Sequence, residues 1–306
     1  MKEKLKSLLP HIAVIVVFAG LSMTYFAPVF SDYQLKQGDI TQFKGMSQEI
    51  AEFRRMYGEE PLWTNSMFGG MPAFQISVRY PNDIIGVVDN IISLGLPVPV
   101  SFVFLYLLGF YILMLSLRIR PLLGAVGSIA FAFSSYYFII IEAGHNTKAH
   151  AIAYMAPVLA GVIWTYRGKF LLGGVVTALF MALQLSANHV QITYYFGFLL
   201  IAYGIARLVD SARSNALPSF FKASGIIVAA VIIGVVANIN VLWNTYEYGK
   251  YTTRGETELT INAAGESNAG NTTAGLDRDY VTQWSYGIGE TLSFLIPNAR
   301  GGESGV

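Results

Sequence analysis

Seven strongly apolar stretches divide the chain, at roughly 10–30, 98–117, 121–141, 150–166, 170–187, 190–209 and 223–242, with polar links between them. Each is near the ~20 residues that carry an α-helix across a bilayer, the stretches at 150–166 and 170–187 being short. The pattern predicts an all-α polytopic membrane protein, with about seven transmembrane helices and a large outer first loop carrying short surface helices. The first stretch follows Lys2, Lys4 and Lys6 and is too long for a signal-peptide core, so it reads as an uncleaved first helix.

Between the first two stretches lies a long polar segment, 31–97. Within it Met46, Ile50, Phe53 and Tyr57 recur at helical spacing, with Ser47 as a candidate cap, and predict an amphipathic helix on the bilayer surface. Ile84 to Leu96 is a second apolar piece, with Asp83 and Asp89 beside or within it and Pro97 and Pro99 at its end, and reads as a second surface helix. Pro61, Pro72, Pro81 and Gly69-Gly70 break the chain between the two.

Lys and Arg set the orientation. Arg118 and Arg120, Arg167 and Lys169, and Arg207, Arg213 and Lys222 fall in alternate links, on the same side as the N-terminal lysines. The N-terminus is therefore expected in the cytoplasm, with 31–97, 142–149, 187–189 and the tail 244–306 outside. Of the 19 Asp and Glu residues, all but Glu3 and Asp210 then lie outside. The tail is rich in Gly, Asn, Thr, Ala and Ser over 256–275 and reads as a flexible loop. The whole is expected to be one membrane domain, 1–306, and its ending at Arg300-Gly301-Gly302-Glu303-Ser304-Gly305-Val306 reads as that of a fragment of a longer protein.

Composition agrees with the pattern: 54% of residues are hydrophobic and 13% charged, against about 25% charged in soluble domains. The net charge of +1 gives no reason to expect a nucleic-acid partner. With no cysteine the chain has no disulfide, thiol nucleophile or thiolate metal site.

The candidate chemistry gathers on the outer side. Asp39 follows Gly38 just beyond the first span, where a carboxylate can accept a proton from an incoming hydroxyl. It reads equally as a helix cap or a solvated turn residue, and Asp32 is a rival carboxylate. Glu142, His145, Asn146, Thr147, Lys148 and His150 crowd one short link, and such ionisable groups at a membrane mark substrate paths. Lys148 and the histidines suit a phosphate; the alternative is an ordinary solvated turn. Asn188, His189 and Gln191 lie in the next outer link, and Gln184, Asn188 and Gln191 would share a face if one helix ran through 184–195. A polar patch joining helices is the other reading. Trp63, and Trp284 with Glu290, suit stacking and hydrogen bonding to a sugar, or else an interfacial aromatic belt. No HExxH-type spacing occurs. No cofactor or metal is expected, although Asp277-Arg278-Asp279 has the spacing of a divalent-ion motif.

Gly38-Asp39 with Gln42-Phe43, Pro61-Leu62-Trp63, Phe68-Gly69-Gly70-Met71-Pro72, Glu142-Ala143-Gly144-His145-Asn146-Thr147-Lys148, 187–195 and Trp284-Ser285-Tyr286-Gly287-Ile288-Gly289-Glu290 together resemble the YfhO family of bacterial multispanning proteins, in its Bacteroidetes form. The likeness runs from the first span to about Arg300. That family is similar to GT-C glycosyltransferases, which carry an Asp near the start of an outer first loop. The resemblance implies a glycosyltransferase of the inner membrane with a periplasmic active face. Its donor would be a polyprenyl-phosphate-linked sugar and its acceptor a cell-envelope glycan or lipid. Asp39 would be the base, and Lys148 with the nearby histidines would neutralise the departing phosphate. A transporter or flippase of a lipid-linked precursor and a non-catalytic envelope-assembly scaffold are the competing readings. A flippase would place polar groups deep in the spans on both halves of the membrane.

Overall fold

A computed structural model describes residues 2–252, 282–283, 285, 287–296 and 299–300. The chain divides into two compact units, 1–238 and 239–306. The described residues are overwhelmingly helical, and every one of the seven apolar stretches contains helix.

In the first unit α1 (Lys2–Tyr25) is followed by the long polar segment 31–97, which holds α2 (Gly38–Met46), α3 (Gln48–Tyr57), a two-residue hairpin of β1 (Trp63–Thr64) and β2 (Met71–Pro72), and α4 (Ile84–Ile92). Then come α5 (Val100–Ser116), α6 (Pro121–Ala132), α7 (Ser135–Ala143), α8 (Asn146–Ala153), α9 (Met155–Tyr166), α10 (Phe170–Ser186), α11 (Val190–Arg213) and α12 (Leu217–Ala237). The second unit contains α13 (Ile239–Gly249) and a 3-10 turn at Ile288–Phe294. The seventh apolar run therefore ends as one helix at Ala237, short of 242.

Among the described residues, four stretches are long and apolar enough to cross a bilayer: Leu8–Tyr25, Asn146–Tyr166, Val190–Arg213 and Leu217–Ala237. A fifth is the bent pair α6 and α7, whose axes differ by 46°. The remaining two, α5 and α10, have 17 residues each, or roughly 26 Å of helix at 1.5 Å per residue. Long apolar side chains on α1, α11 and α12, such as Val16, Ile201 and Ile232, stand exposed on the molecule's outside. That distribution is the one expected when lipid is the solvent.

The helix α5 lies at the centre. Val103, Phe104, Tyr106 and Leu107 are all fully or almost fully buried, and α5 packs against α1, α6, α8 and α9. The Tyr106 hydroxyl donates to the Ala149 carbonyl at 2.9 Å. The apolar run at 150–166 breaks between α8 and α9 because Pro157 has no N–H for the Ala153 carbonyl. At that break α5 comes close, and a Cβ on Gly109 would lie 2.7 Å from the Ala153 oxygen.

The α9–α10 crossing is closer still. Gly161 faces Gly173, and a Cβ on Gly161 would meet the Gly173 carbonyl at 2.9 Å and the Thr177 N–H nitrogen at 2.7 Å. Thr165 and Thr177 each turn their hydroxyl back to the carbonyl four residues earlier, at 2.9 Å and 2.8 Å, so neither hydroxyl is left unpaired in the crossing. Small residues four apart on each helix let the backbones meet, as packing in a bilayer requires.

The 31–97 segment is more ordered than its Pro and Gly content suggests. The predicted surface helix forms as α3, with Ser47 at its N-cap position, but the Ser47 hydroxyl donates to the Phe43 carbonyl at 2.8 Å instead of capping α3. Of the predicted apolar face, Ile50 is buried and Tyr57 is exposed against Phe53, with ring centroids 4.7 Å apart. The Glu49 carboxylate gathers the hairpin, accepting from the Thr64 hydroxyl and from the Asn65 and Ser66 N–H groups at 2.9 Å and 3.1 Å. Arg54 grips Glu60 through two nitrogens, each at 2.7 Å. The second surface helix forms as α4, shorter than expected, with Asp83 capping it through the Gly86 N–H at 2.8 Å.

Candidate functional site

The site is built where the start of α2 meets the link between α7 and α8. Gly144 ends α7 in the left-handed region, at φ +93°, a conformation glycine adopts without steric cost. Its lack of a side chain also lets α2 approach. A Cβ there would lie 3.1 Å from the Asp39 Cβ, 3.2 Å from the Gln37 Cβ and 3.3 Å from the Asp39 nitrogen. Gln37, buried, precedes α2 and fixes the junction. Its amide donates to the Ile141 carbonyl and, at 3.1 Å, to the Asn146 side-chain oxygen.

These contacts bring Asp39 to His145. The carboxylate Oδ2 and the imidazole Nε2 are 3.3 Å apart, and both side chains are about half exposed. The separation exceeds the ~2.7–2.9 Å of a tight charged hydrogen bond. Being half exposed, the carboxylate is open to solvent. Asp39 lies in the first turn of α2, where a negative charge is favourably placed. The structure thus puts Asp39 inside a helix, not in a loop, yet its side chain does not cap that helix.

His189 stands on the other side of the link. Its Nδ1 lies 3.2 Å from the Thr147 hydroxyl, which joins the α8 and α11 starts. Burial holds its imidazole below the ordinary value, and repulsion from Lys148 and His145 adds to the effect. His189 is therefore mainly neutral at pH 7, and Lys148 carries the local positive charge. The Lys148 amine lies over the Tyr136 ring, 5.4 Å from its centroid, and forms no ion pair among the described residues. Asp39, His145, Asn146, Lys148 and His189 thus belong to one neighbourhood.

The other sequence candidates are not tied to it. Glu142 is exposed at the end of α7. The chain turns between α10 and α11 at Asn188, with φ +54°, so no single helix runs through 184–195, and Gln184, Asn188 and Gln191 do not share a helix face. Gln184 is fully buried and its amide donates to the Ala151 carbonyl at 3.4 Å. Asn188 and Gln191 are exposed. Trp63 covers Gly70 in the hairpin, where a Cβ would lie 2.6 Å from its ring nitrogen, and no hydrogen bond or ring contact links it to Asp39. Glu290 lies in the second unit, accepting from the Gly287 N–H at 3.0 Å. Trp284, Asp277 and Asp279 lie outside the described residues. Among the described residues, no three His, Asp or Glu side chains cluster as a metal-ligand set.

Sequence reasoning missed a second carboxylate–imidazole pair. Asp89 on α4 accepts from His150 at 2.8 Å and from the Tyr154 hydroxyl. Burial would raise the Asp89 carboxyl, but the His150 hydrogen bond and charge, with the Tyr154 hydroxyl, bring it below the usual value. The signal was present, since Asp89 is the lone charge in Ile84-Ile85-Gly86-Val87-Val88-Asp89-Asn90-Ile91-Ile92. The short helix α8, with its flanking His145, is thus held from two helices of the 31–97 segment, by Asp39 of α2 and by Asp89 of α4.

No family model matches this chain, and neither does any curated protein or solved structure.

Proposed function

We propose that the chain is a GT-C-like membrane glycosyltransferase related to the YfhO proteins. It would move a sugar from a polyprenyl-phosphate donor to a cell-envelope acceptor at the outer face of the cytoplasmic membrane. The observation that carries this reading is the convergence of Asp39, from the segment after the first span, with His145 of the α7–α8 link and Lys148 of α8, which forms no ion pair among the described residues. All seven apolar stretches serve as spans in this reading, α5 being sheltered inside the bundle and α10 exposed along part of its length, both reaching the interfaces with short ends. The N-terminus is cytoplasmic.

In the reaction, the Asp39 carboxylate takes the proton of an acceptor hydroxyl as its oxygen attacks the anomeric carbon. The bond from that carbon to the lipid phosphate oxygen breaks, and the electron pair leaves on the phosphate. The configuration inverts because attack and departure occur on opposite faces. His145 orients the carboxylate, and Lys148 stabilises the charge growing on the phosphate. The five grouped residues supply a base and a cation within one outward-facing neighbourhood, a set that sugar transfer uses and a purely structural turn does not need.

The test is a transfer assay with the full chain in membrane vesicles and a labelled undecaprenyl-phosphate sugar. The expected result is label on an envelope acceptor, reduced at least tenfold in Lys148→Ala. Label that crosses the bilayer still attached to its lipid would instead establish a flippase. Vesicles in which label neither transfers nor crosses would leave the scaffold reading.

A further inference from the structure

At the opposite end of α9 and α11 from the candidate site, the links after these helices hold five cations, Arg167, Lys169, Arg207, Arg213 and Lys222, and one acid, Asp210. Two of the cations converge. Tyr166, the last residue of α9, meets both α11 and α12. Its ring stacks on Phe220 with centroids 5.5 Å apart and meets the Tyr203 ring edge-on at 6.0 Å, and its hydroxyl lies 3.0 Å from the Ser224 hydroxyl. Arg167 follows Tyr166 directly, and Arg207 stands one helical turn beyond Tyr203 on the same face of α11. The charges of both arginines act on the Tyr203 hydroxyl. The groups around this place are donors short of acceptors. The Arg207 Nε is buried without a hydrogen-bond partner. Its Nη1 holds Asp210 at 2.8 Å, but that carboxylate is largely exposed and such surface pairs contribute little. Arg167 gives one nitrogen to the Ser116 carbonyl and pairs with no carboxylate among the described residues. The Tyr203 hydroxyl donates no hydrogen bond among them either. Arg207 is partly exposed and Arg167 exposed, so a ligand can reach both.

From this geometry we infer that Arg167, Arg207 and Tyr203 bind the phosphate of an anionic phospholipid headgroup. The guanidinium fork matches two phosphate oxygens. By swinging from Asp210 to a phosphate, Arg207 gains a partner for the Nε that now has none. The surroundings select a phosphate borne by a lipid. Ile205 and Leu208, on either side of Arg207 along α11, stand exposed, and so does Phe221 of α12. Acyl chains bury against these side chains, whereas a soluble anion gains nothing from them. Charge selects an acidic lipid over a zwitterionic one. Five cations face one acid in these links, so a headgroup that brings its own ammonium is the poorer fit, and basic pockets between spanning helices hold acidic headgroups for this reason. In the proposed orientation the lipid belongs to the cytoplasmic leaflet. The inference needs only that the chain lies in a bilayer, and it does not use the transferase reading.

The test uses the full chain in phosphatidylcholine nanodiscs that contain phosphatidylglycerol as the minor lipid. Lipid retained after mild delipidation is counted by native mass spectrometry. The wild type is expected to retain phosphatidylglycerol in preference to phosphatidylcholine. Arg207→Gln removes the charge and the fork from a partly exposed position, and should lower that retention about tenfold, the worth of a hydrogen bond to a charged group. Arg207→Lys keeps the charge without the fork and should recover only part of the loss. Tyr203→Phe removes one oxygen, keeps the ring packing and should lower retention in the same direction. The double variant Arg118→Gln/Arg120→Gln takes two charges from the link between α5 and α6 and should leave retention near that of the wild type. An equal loss in that double variant would mean diffuse attraction to a basic surface and would overturn the site. Full retention in Arg207→Gln would overturn it too. Displacement of the lipid by equimolar inorganic phosphate would give the site to a soluble anion and overturn the lipid assignment. No sugar transfer enters these readouts, so failure here and failure of the transferase reading are seen separately.

Discussion

Replacing Gly144 with alanine strikes the junction on which the candidate site depends. Two costs add. A non-glycine residue in the left-handed region loses roughly 1–2 kcal/mol, and Gly144 sits there at φ +93°. The new methyl would also meet Asp39 and Gln37 atoms at 3.1–3.3 Å, and forced close packing typically costs about 1–3 kcal/mol. Part of that second cost is relieved by moving the start of α2 outward by a few tenths of an ångström, which separates Asp39 from His145. A total of about 2–4 kcal/mol follows. Gly168 supplies the control. It too lies in the left-handed region, at φ +81°, but a Cβ there would touch nothing within 4 Å, so Gly168→Ala carries the backbone cost alone. Unfolding of each variant in detergent, followed by tryptophan fluorescence, measures the difference. Gly144→Ala should fall below Gly168→Ala by at least ~1 kcal/mol and should lose transfer as well. Equal stabilities would refute the close approach of α2 to Gly144, and with it the placement of Asp39.

Three further outcomes are expected. Because His189 is held below the ordinary imidazole value, the unfolded chain binds its proton first. Its contribution to stability is therefore complete above pH 6.5 and declines as pH falls below it; Lys148→Met should raise the His189 value in an NMR titration, and no change would contradict their proximity. Asp89, a carboxyl held below its usual value, contributes above about pH 4 and loses that contribution as pH falls further. Asp89→Asn should cost about 1.5–3 kcal/mol at pH 7 and remove that acid-dependent loss, as read from unfolding midpoints across pH. Gly161→Leu should separate α9 from α10, destabilising by 3 kcal/mol or more on the order of a severe overpacking, whereas Leu171→Ala on the exposed side of α10 should change the unfolding midpoint little.

What the sequence made legible follows from which interactions are local. The spans were readable because apolar length is a one-dimensional property, and α11 and α12 carry it plainly. Their breaks were less so: α6 and α7 bend between Ala132 and Ser135, at a boundary inside a continuous apolar run. In the 31–97 segment, the helix expected over Met46 to Tyr57 was legible from its periodicity and forms as α3, while the Ser47 hydroxyl turns to a carbonyl behind it instead of capping. The grouping of Asp39 with the 142–150 link was an expectation from topology alone. The link from Gln37 to Asn146 spans more than a hundred residues and left no trace in composition. Asp89 was visible as a lone charge, but its partners His150 and Tyr154 are defined only by how α4 docks. Gly144 was noticed as part of a motif, and its reason, room for α2, is a property of packing.

The central claim is that Asp39 takes the acceptor's proton. The most direct measurement is the turnover of Asp39→Asn against wild type and Asp39→Glu, in vesicles containing equal amounts of folded full chain. Asparagine keeps the shape and the contact with His145 but cannot accept the proton. A positioned general base contributes about 10²–10⁴-fold. The account expects turnover to fall within or beyond that range in Asp39→Asn, with partial recovery in Asp39→Glu. Turnover in Asp39→Asn within a few-fold of wild type would contradict it and leave Asp39 a residue that only secures the start of α2.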